Sequence, residues 1–79
     1  MTPAEETIRT VLTPLARAPL PDDADASLFD LGVLDSFGLM DAVARLEEAF
    51  GVKVPDADLT PRRFETLAKI ERYFASRAA

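Results

Sequence analysis

Residues 35–51 read DSFGLMDAVARLEEAFG, and this stretch decides the fold. Leu39, Val43, Leu46 and Phe50 recur at three- and four-residue spacing, so one face of a helix is apolar and must be covered by other elements. Asp35 or Ser36 stands where an N-cap belongs, and Gly51 follows the last periodic residue as a left-handed stop. Asp41, Glu47 and Glu48 lie on the flanks against the single Arg45, with Phe37, Met40 and Ala44 as smaller apolar features. A helix with this pattern needs partners, and the remaining sequence has to supply them.

Upstream, Thr2-Pro3-Ala4-Glu5 reads as a helix start, with Thr2 as N-cap, Pro3 at the first helical position and Glu5 reaching back to complete a capping box. Ile8, Val11, Leu12 and Leu15 then form a second apolar stripe. Pro14 lacks an N–H and crowds the carbonyl four residues back, so this helix either stops near Thr13 or kinks and runs on to about Arg17. Downstream of Gly51, the segment from Ala57 to Phe64 reads as a short turn of helix or 3₁₀ interrupted at Pro61. A last helix from about Glu65 to Ser76 places Leu67, Ile70 and Phe74 on one face. Between the first two helices, Ala18 to Leu34 contains Pro19, Pro21 and Gly32 and reads as a long ordered loop, anchored by Leu28, Phe29, Leu31 and Leu34. A loop of this length in a small domain is usually functional. Asp23, Asp25 and Ser27 faintly resemble a calcium loop, but its sixth and twelfth positions fall on Leu28 and Leu34, where glycine and glutamate belong. The expected fold is all-α: a four-helix bundle with a long first loop and a short third helix, in a single domain spanning 1–79.

A chain of 79 residues encloses one core. It contains no cysteine and no histidine, which removes the thiol nucleophile, the imidazole base and the soft metal ligand together. No carboxylate pair stands at a defined spacing either, so an enzyme is disfavoured. The first residues, MTPAEET, lack the basic and apolar regions of a signal peptide, and no apolar run approaches the roughly 20 residues of a membrane span. A cytoplasmic monomer is expected. The net charge of −5 is unevenly spread: 0 over residues 1–18, −4 over 19–34, −3 over 35–50 and +2 over 51–79. Nucleic-acid binding needs a basic stripe, so the acidic middle argues against it and for partners with basic surfaces.

A serine at a helix start usually caps the helix and does nothing more. The position nevertheless suits a phosphodiester, because the free N–H groups and the positive dipole end face whatever is attached there. The run Phe29-Asp30-Leu31-Gly32-Val33-Leu34-Asp35-Ser36-Phe37 resembles the phosphopantetheine attachment segment of acyl and peptidyl carrier proteins, with Phe29, Gly32 and Asp35 at the family's distances before Ser36. Leu39, Val43 and Leu46-Glu47-Glu48-Ala49-Phe50-Gly51 resemble the family's second helix, and Val54-Pro55-Asp56 its entry to a short third helix.

The resemblance implies a discrete carrier that holds acyl or aminoacyl groups as thioesters on a 4′-phosphopantetheine arm, taken from coenzyme A and attached to Ser36. The sulfur then belongs to the arm, which accounts for the missing cysteine. Implied partners are a phosphopantetheinyl transferase, a loading ligase and a downstream synthase or transferase. Asp35 would help the transferase and its metal site, and Phe37, Met40, Asp41 and Ala44 would form the docking surface. Gly38, where many fatty-acid carriers have a polar residue, and Arg45 on the acidic face depart from a housekeeping fatty-acid carrier. Leu59-Thr60-Pro61 and Phe64-Glu65-Thr66-Leu67 look more like carriers in aminoacyl, D-alanine or natural-product pathways. The competing reading is an unmodified acidic helical adaptor that binds a basic protein.

Overall fold

In a computed structural model that describes residues 2–77, α1 (Pro3–Leu12), α2 (Ser36–Phe50) and α3 (Leu67–Arg77) pack around one core. No strand occurs among the described residues. Three 3₁₀ turns complete the element list: Thr13–Leu15, Asp56–Asp58 and Pro61–Arg63. The expected four-helix bundle is therefore corrected to three α-helices, with two 3₁₀ turns where the short third helix was placed. Pro61 opens the second of those turns, and without an N–H it could not continue a helix begun at Asp56. The expected domain limits, 1 and 79, lie outside the described residues.

Each helix end has a local cause. Thr2 Oγ1 accepts from the Glu5 N–H at 3.1 Å and donates to Glu71 Oε1 at 2.6 Å, so the cap of α1 also ties α1 to α3. The carboxylate of Glu5 faces Arg9 at 3.9 Å instead of reaching back across the cap. Helix α1 ends at Leu12 and tightens into the 3₁₀ turn that contains Pro14; the chain is extended at Ala16. Helix α2 ends as expected at Gly51, whose φ of 67° is left-handed and whose N–H donates to the Glu47 carbonyl. Glu47 Oε2 then accepts from the Val54 N–H at 2.6 Å and fixes the chain that leaves the helix. Thr66, just inside the expected start at Glu65, accepts from the Lys69 N–H at 3.1 Å and starts α3.

Ile8 and Leu12 from α1, Leu39, Val43 and Leu46 from α2, and Leu67, Ile70 and Phe74 from α3 are buried together. The long loop contributes Leu28, Val33 and Leu34 to the same core. Main-chain bonds hold it in place: the Leu28 N–H donates to the Glu65 carbonyl at 2.7 Å, the Ala68 N–H to Ala24 at 2.9 Å, and the Arg17 N–H to Val33 at 3.0 Å. Leu31 is corrected from anchor to surface, being 49% exposed. It occupies the turn that closes at Gly32, φ 73°, and this turn directs Leu28 and Val33 inward and Leu31 outward.

Candidate functional site at the start of the second helix

Two adjacent residues could have capped α2, and the backbone selects Asp35. Its φ and ψ of −118° and −175° are extended, and Oδ1 accepts from the Gly38 N–H at 2.7 Å. Ser36 is therefore the first helical residue, and its side chain is exposed. Its hydroxyl makes no hydrogen bond among the described residues, so relief from capping leaves Oγ available for chemistry.

The second carboxylate oxygen of Asp35, Oδ2, lies 3.1 Å from Arg17 Nη1. Donation from the Gly38 N–H, reinforced by the Arg17 guanidinium, holds the Asp35 carboxyl below the usual aspartate range against the opposing effect of partial desolvation. Gly38 answers a question its presence raises, because glycine inside a helix is costly. A Cβ there would stand 3.2 Å from Asp35 Oδ1, so the small residue makes room for the cap.

Around Ser36 the structure brings together most of the residues singled out in the sequence. Phe37 is 83% exposed and Met40 59%, and Asp41 and Ala44 are also at the surface. Positions 37, 40, 41 and 44 share one face of α2, opposite the buried Leu39, Ala42, Val43 and Leu46. Two neighbours were not anticipated. Leu31, five residues before Ser36 in the loop, is a third large apolar side chain left exposed, and Arg17 adds a cation from beyond α1. The sequence carried a faint signal for Arg17, as the single Lys or Arg between residues 10 and 44.

The family model for the phosphopantetheine attachment site matches residues 6–74, most of the chain. The chain belongs to this phosphopantetheine-attachment family. It is 33% identical to D-alanyl carrier protein 2 of Lactiplantibacillus plantarum over 76 residues, 96% of this chain and 95% of that protein. It is 35% identical to the D-alanyl carrier protein of Streptococcus pyogenes serotype M1 over 66 residues, 84% of each chain. This is accordingly a carrier protein, built on the domain to which 4′-phosphopantetheine is covalently attached. A hydroxyl that is exposed, free of structural duty and placed at the N-terminus of a 15-residue helix fits such an attachment. No helix among the described residues is long and apolar enough to cross a membrane.

Proposed function

We propose that residues 1–79 form one discrete carrier domain whose Ser36 Oγ receives the arm, and that its cargo is an aminoacyl group. The observation that carries the site assignment is the division of labour at the start of α2: Asp35 caps the helix, so Ser36 Oγ stays exposed and without a hydrogen bond among the described residues. Once attached, the arm supplies the thiol that bears cargo as a thioester and, being flexible, raises the cargo's local concentration at a partner's active site. The chain's own residues present and position. Ser36 offers the nucleophilic oxygen to a phosphopantetheinyl transferase, Asp35 keeps the helix start in shape and faces that enzyme with its metal site, and Phe37, Met40, Asp41 and Ala44 dock the partners. With neither cysteine nor histidine in the sequence, catalysis falls to those partners: the transferase, a loading ligase and a downstream synthase or transferase.

The relatives named D-alanyl carrier protein support an aminoacyl cargo, with D-alanine the first to try. An acidic middle with exposed apolar side chains suits partners that present basic residues around an apolar patch. A cytoplasmic monomer is the working state.

The test is a mass measurement. Incubation with coenzyme A, magnesium and a promiscuous transferase is expected to add one phosphopantetheine to the wild type and none to Ser36→Ala. Because Ser36 is not the cap, Ser36→Ala should change stability by less than about 0.5 kcal/mol. Equal labelling of the two proteins sinks the site assignment, and a wild type that never gains the arm favours the unmodified adaptor.

A further inference from the structure

We propose that Arg17 is a binding residue for the phosphodiester of the arm: its guanidinium, paired with Asp35 one residue before Ser36, contacts the phosphate once Ser36 is modified. This rests on the assignment of Ser36 above.

The first support is placement. The Arg17 N–H is bonded to the Val33 carbonyl at 3.0 Å, which fixes the backbone of Arg17 beside the segment that leads into α2. Its side chain is 71% exposed and bordered by an open hollow of about 400 Å³ formed with Ala16, Pro19 and Leu20, so packing does not confine its tip to one position. A fixed root and a loose tip are what a residue needs to change partners without disturbing the fold.

The second support is charge. Residues 19–50 carry a net −7, and Arg17 is the one Lys or Arg between residues 10 and 44. A phosphodiester on Ser36 adds another negative charge directly beside the carboxylate of Asp35. Like charges that close repel, and a cation between them removes most of the penalty. Arg17 is the cation already paired there.

The third is the inventory of donors. A guanidinium has five N–H groups in a planar fork that matches two oxygens of a phosphate, which a lysine would not. One nitrogen of Arg17 faces Asp35 Oδ2, and the cap of α2 is made through the other oxygen, Oδ1. Arg17 can therefore bridge both anions, or leave Asp35 for the phosphate, and the Gly38 N–H keeps its acceptor either way. An exposed ion pair is weak, so such an exchange of partner costs little.

The experiment compares the unmodified and modified full-length chain, with mass confirming one arm per molecule. In the wild type the Arg17 Nε–Hε resonance is expected to move on modification by more than that of any other arginine. The phosphorus resonance of the arm in folded Arg17→Gln should shift towards its position in the urea-unfolded protein, whereas Arg45→Gln should leave it at the wild-type position. Backbone amide spectra establish that both variants are folded. If the mass rises but Arg17 does not respond and the phosphorus resonance is the same in wild type and Arg17→Gln, the inference is wrong while Ser36 stands as the attachment site. If no arm is gained at all, the Ser36 assignment fails and takes Arg17 with it.

Discussion

Asp35 and Asp58 are two aspartates paired with arginine, and the contrast between them separates the end of the molecule proposed to carry the arm from the end that holds the fold together. Asp58 is saturated: Oδ2 accepts from the Tyr73 hydroxyl at 2.8 Å, and the carboxylate also faces Arg63 at 3.7 Å and Arg77 at 3.6 Å. The Tyr73 ring packs edge-on against Phe64 and Phe74, with the Arg77 guanidinium 3.8 Å above it. Asp58 thereby fastens the first 3₁₀ turn after α2 to α3. Asp35 caps a helix with one oxygen and holds a single exposed arginine with the other, beside a serine whose hydroxyl has no hydrogen-bond partner among the described residues, on a helix that also exposes Phe37 and Met40. Satisfied groups mark where the chain is held, and the accessible apolar and polar groups around Ser36 are what the proposed docking surface would use.

The largest expected difference between the two ends lies in their phenylalanines. Phe74 is fully buried and stacks on Phe50 with ring centroids 5.2 Å apart, so Phe74→Ala should cost about 3–5 kcal/mol by urea unfolding. For a domain this small, such a loss approaches the whole stability. Phe37→Ala, at an 83% exposed position, should stay within about 0.5 kcal/mol yet slow loading by the partner ligase. If Phe37→Ala unfolds the protein as readily as Phe74→Ala, the division between the two ends is mistaken.

A smaller effect comes from the aspartates themselves. Asp58→Ala leaves the buried Tyr73 hydroxyl without its acceptor and should cost about 1–3 kcal/mol. Asp35→Asn should cost less, since asparagine is an equally good cap, and should leave the Arg17 guanidinium without its ion pair. Urea midpoints measured side by side give the order, and a greater loss for Asp35→Asn would reverse the assignment of roles.

What the sequence made legible follows the same division. Helix α2 could be placed at both ends because its apolar period, its cap and its stopping glycine are all local signals. The serine could be picked out, but whether it or Asp35 made the cap could not, because both residue types cap well and only the backbone angles choose between them. The sequence offers no period from which to orient Leu31: an apolar residue in a loop points inward or outward according to a turn, and the left-handed Gly32 sets that turn. The pairs Arg17 with Asp35 and Asp58 with Tyr73 join residues far apart in the chain, and no spacing rule announces such contacts. Between Ala57 and Phe64 the sequence leaves helix and 3₁₀ both open around Pro61, and the structure takes the 3₁₀ form as two short turns, so only the count of four helices is corrected.

The acid limb of stability offers a finer test of Asp35. Its carboxyl is held below the ordinary value of 3.8, so the folded chain binds that proton more weakly than the unfolded one. The resulting stabilisation is complete above the unfolded value and is lost as pH falls through the lower folded one. A comparison of wild type and Asp35→Asn between about pH 5 and pH 2 should show the wild type losing ground to the variant as acid is added, since asparagine caps without titrating. Parallel acid curves would mean that the Gly38 and Arg17 contacts do not hold the charge in solution.

The smallest effect expected is at Gly38, where two principles oppose each other. Alanine is favoured over glycine inside a helix by about 1 kcal/mol, so Gly38→Ala should be a simple gain if helix propensity acted alone. The added Cβ would approach Asp35 Oδ1 to 3.2 Å and Leu34 Cδ2 to 3.7 Å. The closer atom is the one accepting the Gly38 N–H at 2.7 Å, so the crowding falls on the cap itself and part of what propensity adds is lost there. The net change should therefore stay under about 0.5 kcal/mol, with the pH dependence of the cap weakened because the carboxylate is pushed off its donor. A full gain of about 1 kcal/mol with unchanged acid behaviour would show that the carboxylate yields freely. Gly38 would then owe its place to partners that approach α2 closely, and not to the geometry of the cap.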